Sequence, residues 1–239
     1  MSDEDAPEMP LRLNAKVNRR FSFALHQNAV SFLLELTVAN DSDRVFEDLS
    51  IVLEATPAFV KCRTWRLARL EPGQVLSVPA EELATDIEGA LLGRLTESEA
   101  GSVTLTARSG DVVVGQWASD VDILARNQWG GLYPLPELIA AFVQPNDAAV
   151  DRILKQAADI LAEHHLPPDL DGYQSGRRQR AWELVQGIWG AVCALGVSYA
   201  LPPASFEEAG QKVRSPSQVW DGRVATCLDS TLLLAACLE

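Results

Sequence analysis

The stretch ARNQWGG, residues 125–131, is where this chain changes its hydrophobic period. Before it, apolar and polar residues alternate, as in half-buried strands; after it, apolar residues recur every three or four, as on a helix face. The segments LRLNAKV, FSFALHQ, VSFLLELTVAN, EDLSIVLEA and CRTWRLARL are short, period-two and rich in β-branched and aromatic residues. NDSD, TP and EPGQ separate them as turns. GSVTLTARSGDVVVGQWASDVDIL adds a hairpin around RSGD. His26 falls within one of these expected strands. The exception is TDIEGALLGRLTESEAG, where the spacing of Thr96 and Glu99 predicts a capping box on a short helix.

About seven strands over residues 11–125 predict an antiparallel β-sandwich. The piece LEPGQVLSV resembles an edge turn of immunoglobulin-like modules. The acidic residues 1–10 are expected to form a disordered tail, and nothing in them resembles a signal or transit peptide.

Residues 126–239 read as mainly helical. Pro134 and Pro136 mark a helix start in YPLPELIAAFV. Asn146 precedes a helix whose Val150, Ile153, Leu154, Ala157, Ile160 and Leu161 share one face. A second helix follows LPPDLDGYQSG and closes at Gly196; its Trp182 and Trp189, seven apart, mark an expected buried face. VSYAL reads as a strand or an extended crossing, and SPSQVWDG as a short helix capped by Ser215 with Pro216 at its first position. The whole is therefore α+β in two parts.

Charge narrows the function. The net value is −13, with 11 basic and 20 acidic groups in residues 1–125 and 9 and 13 in the remainder. Neither half offers the basic surface that phosphate neutralisation requires, so direct nucleic-acid binding is not expected. GRRQR, residues 176–180, is the one basic cluster and reads as a solvated loop and first helical turn. No run approaches the ~20 apolar residues of a membrane helix. There is neither GxxxxGK[ST] nor GxGxxG, so no nucleotide cofactor is expected, and no Cys/His spacing predicts a metal. Cys62, Cys193, Cys227 and Cys237 have no paired spacing, which fits reduced thiols in a cytoplasm. Sixteen arginines against four lysines fit a GC-rich bacterial coding sequence.

The last stretch, DGRVATCLDSTLLLAACLE, carries the only spacing that points to chemistry. Thr226 stands at an N-cap and Asp229 three residues later, which predicts a capping box with Cys227 at the first helical position. The positive end of a helix favours a thiolate, the reactive form, while Asp229 nearby opposes it. Gly222 ahead of it would allow a tight backbone approach. Spacing alone leaves two readings open, a nucleophile or a packed thiol; Cys193 and Cys237, in apolar helical runs, read as core.

The segment GQKVRSPSQVWDGRVATCLDSTLLLAACLE resembles the first part of the transglutaminase-like (papain-like) cysteine fold. With ILARNQWGG, AFVQPNDAAVDRIL, LDGYQSG and PPASFEEAGQKVRSPSQVW, nearly all of residues 10–239 is similar to the N-terminal region of large bacterial helicase-related proteins. The resemblance implies an immunoglobulin-like sandwich, then a transglutaminase-like lobe, then a superfamily 1 helicase and a restriction-type nuclease segment. Only Cys227 falls on a catalytic-type position of that pattern. The fold needs a histidine base and an acid to orient it, both normally downstream of the cysteine. Of the three histidines, His26 lies in the first half, and His164 and His165 stand where cationic side chains suit a helix C-terminus.

The run LLLAACLE has no capping signal, from which a fragment of a longer protein is expected. These readings lead to a non-catalytic segment of a helicase-related protein that serves interaction, scaffolding or regulation. Its partners would be downstream domains, another protein, or a second copy through uncovered apolar helix faces. One alternative is a transglutaminase-like or cysteine-peptidase-like acyl-transfer domain with Cys227 as nucleophile and its histidine and acid beyond residue 239. The other is a stand-alone sandwich that binds a peptide or protein along an edge strand.

Overall fold

A computed structural model describes residues 9–132, 135–172 and 174–239, and its architecture is mixed α+β. The chain divides into two compact units, Met1–Arg126 and Asn127–Glu239. Residues 1–8 of the expected 1–10 tail and the helix-start proline at 134 lie outside the described residues.

The first unit contains β1 (Leu11–Val17), β2 (Arg20–Phe21), α1 (Phe23–Gln27), β3 (Leu33–Asn40), β4 (Phe46–Thr56) and β5 (Arg63–Leu70). It continues with β6 (Val75–Ser77), α2 (Gly89–Leu92), β7 (Glu99–Ser109) and β8 (Val112–Ile123). Five strands form one sheet in the order β2-β8-β7-β4-β5, and three form another in the order β1-β3-β6. All pairs are antiparallel except β2 with β8.

Alternation sets the register. Ile51 and Leu53 of β4 stand opposite Ala107 and Leu105 of β7, and all four are fully buried. A one-residue slip would turn that apolar row to solvent, which fixes the pairing. Phe21, Phe32 and Phe59 close one part of the core, with Phe32 edge-on to both others at 5.5 and 5.1 Å. Strand β1 runs close over β8 at a bulge, where a Cβ on Gly115 would lie 2.7 Å from the Leu11 carbonyl oxygen. Only glycine allows that approach.

Two local expectations are corrected here. His26 is not in a strand: Ser22 accepts a hydrogen bond from the Leu25 N–H and starts the helical turn α1. Side-chain capping overrides the alternation of FSFALHQ, and the His26 ring rests against Phe23. The Thr96–Glu99 capping box is absent because the short helix falls earlier, at α2. Glu99 instead opens β7, paired with Ile123.

The second unit opens with β9 (Gln128–Trp129) and a 3-10 segment, Pro136–Phe142, where an α-helix was expected. Then come α3 (Ala148–Glu163), α4 (Arg178–Ala194), β10 (Ser198–Tyr199), α5 (Phe206–Ala209) and β11 (Gln211–Lys212). The last elements are α6 (Pro216–Gly222), β12 (Val224–Ala225) and α7 (Cys227–Leu238). Val150, Ile153 and Ala157 of α3 share a buried core with Ile188 and Ala191 of α4, Val219 of α6, and Leu233 and Ala236 of α7. Asp147 caps α3 through the Ala149 N–H and accepts the Ser217 hydroxyl at 2.5 Å. Burial pushes the Asp147 carboxyl up, but the bonds from Ser217 and Ala149 bring it below the usual range.

The basic cluster is not wholly solvated. Arg180 is 2% exposed and binds Asp171 at 2.9 Å, Glu183 at 3.4 Å and the carbonyls of Pro167 and Asp169. Its guanidinium holds the Asp171 carboxyl below the usual range. A buried cation is tolerated because every side of it is met by an acceptor.

The Trp182/Trp189 face is also corrected. Both indoles are 58% exposed, and Cys193, expected in the core, is exposed beside them. The buried side of α4 is Arg180, Leu184, Gly187, Ile188 and Ala191. A seven-residue spacing shows that two side chains share a face and says nothing of which way it looks.

Candidate functional site

The parallel pair β10–β12 delivers the chain to Thr226. The turn before it uses Arg223, at a left-handed φ of 51°, where glycine had been expected to serve. Gly222 is the last residue of α6, with nothing near the place of a Cβ. Arg223 is held there by the Leu195 carbonyl at 3.2 Å and by the face of Trp220 at 4.8 Å.

Thr226 and Asp229 form the reciprocal capping box. The Thr226 hydroxyl oxygen accepts the Asp229 N–H at 3.2 Å, and the Asp229 carboxylate accepts the Thr226 N–H at 2.9 Å. Two further donors, neither legible in the local sequence, complete the arrangement. Arg214 gives its backbone N–H and its guanidinium to the two Asp229 oxygens, both at 2.8 Å. Gln211 gives its side-chain amide to Thr226 Oγ1 at 3.1 Å. Asp229 is 1% exposed and accepts three hydrogen bonds, so its charge is spent on holding this corner together. Gln211 and Arg214 lie fifteen residues upstream of their partners, beyond the reach of any periodicity.

Gln211 is paired with Trp129 across β9–β11, and both side chains are buried. Gly210, at φ 70°, sits so close to the Trp129 carbonyl that no side chain fits there. Trp129 Nε1 and Gln211 Oε1 make no hydrogen bond among the described residues.

Cys227 is exposed at the first position of α7, the positive end of that helix. Among the described residues, no hydrogen bond joins it to an imidazole. His164 caps the far end of α3, and His165 follows at a left-handed φ of 57°. The Asp147 end of that helix is the one tied to Ser217 of α6, and 16 residues of helix separate it from His164, roughly 24 Å of axis. His26 belongs to the first unit.

At the other end of α7, Cys237 is buried, as its apolar run predicted, and burial pushes its thiol up to about 11. It lines a mostly apolar cavity of about 200 Å³ with Leu154, Leu184, Val185, Ile188 and Leu238. No group of three metal-binding side chains occurs among the described residues, and no helix there is long and apolar enough to cross a membrane. Compared with known proteins, the chain matches no family model and no curated protein.

Proposed function

We propose that this chain is a non-catalytic recognition and scaffolding segment of a large bacterial helicase-related protein, acting in the cytoplasm. In this reading the first unit is an immunoglobulin-like sandwich, and the second is a transglutaminase-like lobe that keeps the cysteine position without arming it. Its partners are the remaining domains of such a protein or another protein, and the acidic charge disfavours direct contact with nucleic acid.

One observation carries the proposal. The acid nearest the candidate thiol, Asp229, is fully engaged by Arg214 and Thr226, and no imidazole is bonded to Cys227 among the described residues. A thiol without a base transfers no acyl group at a useful rate. The test is to offer the purified chain a thioester, an amide and ATP. No turnover above the uncatalysed rate is expected; turnover that vanishes in Cys227→Ala would overturn the reading.

A second reading rests on the exposed thiol itself. Cys227 on the first turn of a doubly capped helix has the placement of an acyl-transfer nucleophile, with backbone N–H groups available to an oxyanion. A base and an acid from outside these residues would complete it. Alkylation of Cys227 with iodoacetamide across pH separates the two readings. A rate that rises only near the ordinary value of an unperturbed thiol supports the non-catalytic one, and a plateau reached well below it supports acyl chemistry.

A further inference from the structure

The outward face of α4 carries Arg178, Trp182, Gln186, Trp189 and Cys193, all exposed. Steps of four and three place them in one line, the geometry of a helix-pairing seam. From Ala181 to Ala194 the only charged residue is Glu183, and its side chain is 16% exposed and turned to Arg180. Two acidic copies of this chain repel one another over most of their surface, and this face is a place where they do not.

Helix α4 is mismatched to its own dipole at its start. Its N-cap Arg177 makes no side-chain capping bond, its first turn has no acid, and Arg177 and Arg178 are exposed at the positive end. Its last turn has no basic residue of its own, and the Leu195 carbonyl at its C-cap is met by Arg223 from the end of α6. The N-terminal end thus carries cations that its own dipole disfavours.

We propose that two copies of the chain pair through this face, with their α4 helices antiparallel about a two-fold axis. Trp182 then lies against Cys193 of the partner subunit, and Gln186 against Trp189 of the partner subunit. Large side chains meet smaller ones at every level, whereas a parallel pair would set tryptophan on tryptophan and cysteine on cysteine. The same arrangement brings Arg177 and Arg178 to the carbonyl end of the opposite helix, where they join Arg223 in meeting its carbonyls. One helix pair is a small interface, so the dissociation constant is expected on the order of 10 µM.

Sedimentation of the full chain from about 1 to 200 µM tests association. The mass should rise from 26.0 kDa toward twice that value. Trp189→Glu, checked for unchanged helical circular dichroism, should weaken association at least about tenfold. The orientation is read in a Cys62→Ser, Cys227→Ser background. There Trp182→Cys should yield an intermolecular disulfide on mild oxidation, lost on adding Cys193→Ser. The proposal is overturned if the chain stays monomeric, if Trp189→Glu leaves a dimer intact, or if Cys193 cross-links to itself as fast as to the introduced thiol. A monomer whose indoles are quenched as freely as tryptophan in solution would also overturn it, and leave this face to a different protein.

Discussion

Cys227 and Cys237 lie ten residues apart on α7, and the helix treats them in opposite ways. The first sits at an exposed start where Thr226, Asp229, Gln211 and Arg214 bond to one another and none of those bonds includes the thiol. The second sits at an apolar end, beside a cavity, where desolvation holds the proton on sulfur. The same chemical group is presented by one end and silenced by the other. Exposure and hydrogen bonding decide which, and residue type does not.

Four measurements would break or sharpen that contrast. The largest effect is expected from Asp229→Ala, which removes the carboxylate half of the capping box, orphans the buried Thr226 N–H and releases Arg214. Urea unfolding should show a loss of about 3 kcal/mol in the second unit. A loss under about 1 kcal/mol would mean that the corner is not held by this carboxylate.

Next comes pH. The folded value of Cys237, about 11, lies above its ordinary value of 9.0, so its contribution is complete below pH 9 and lost as pH rises through 11. Stability should fall across that window, and the fall should disappear in Cys237→Ala. The two-unit shift also leaves Cys237 with about a hundredfold less thiolate than an ordinary thiol near neutrality, so mass-mapped alkylation should find the exposed Cys227 labelled before Cys237.

Thr226→Ala comes third, at about 1 kcal/mol for a lost N-cap, read as a lower melting temperature. Cys227→Ala is expected to be smallest, within about 0.5 kcal/mol, because an exposed thiol with no partner supports nothing. A larger cost in a melt of that variant would show that the sulfur is structural after all.

The features legible in the sequence were those set by neighbours along the chain. Thr226 and Asp229, three residues apart, form the capping box their spacing implies, and Ser215 caps α6 with Pro216 at its first position as expected. The shared face of α3 lies inward, with Val150, Ile153, Ala157 and Leu161 buried and Leu154 and Ile160 partly so. What escaped is tertiary. The ion pair of Arg214 with Asp229 spans fifteen residues and two elements, and no local rule finds it. Trp182 and Trp189 misled because hydrophobicity normally points inward, and here the row faces solvent. His26 misled because one serine hydroxyl was enough to turn an alternating stretch into a helical turn.

The β7–β8 hairpin has a consequence for the order in which the first unit assembles. Its pairs run from Ser109 with Val112 out to Glu99 with Ile123, so it zips from a short turn at little loop-closure cost. Strand β1 must instead find Asn40 from Leu11 and then settle over Gly115, late and far along the chain. Truncating Leu105 should therefore slow refolding, while truncating Leu11 should mainly speed unfolding, and stopped-flow traces showing equal slowing for both would contradict this sequence of events.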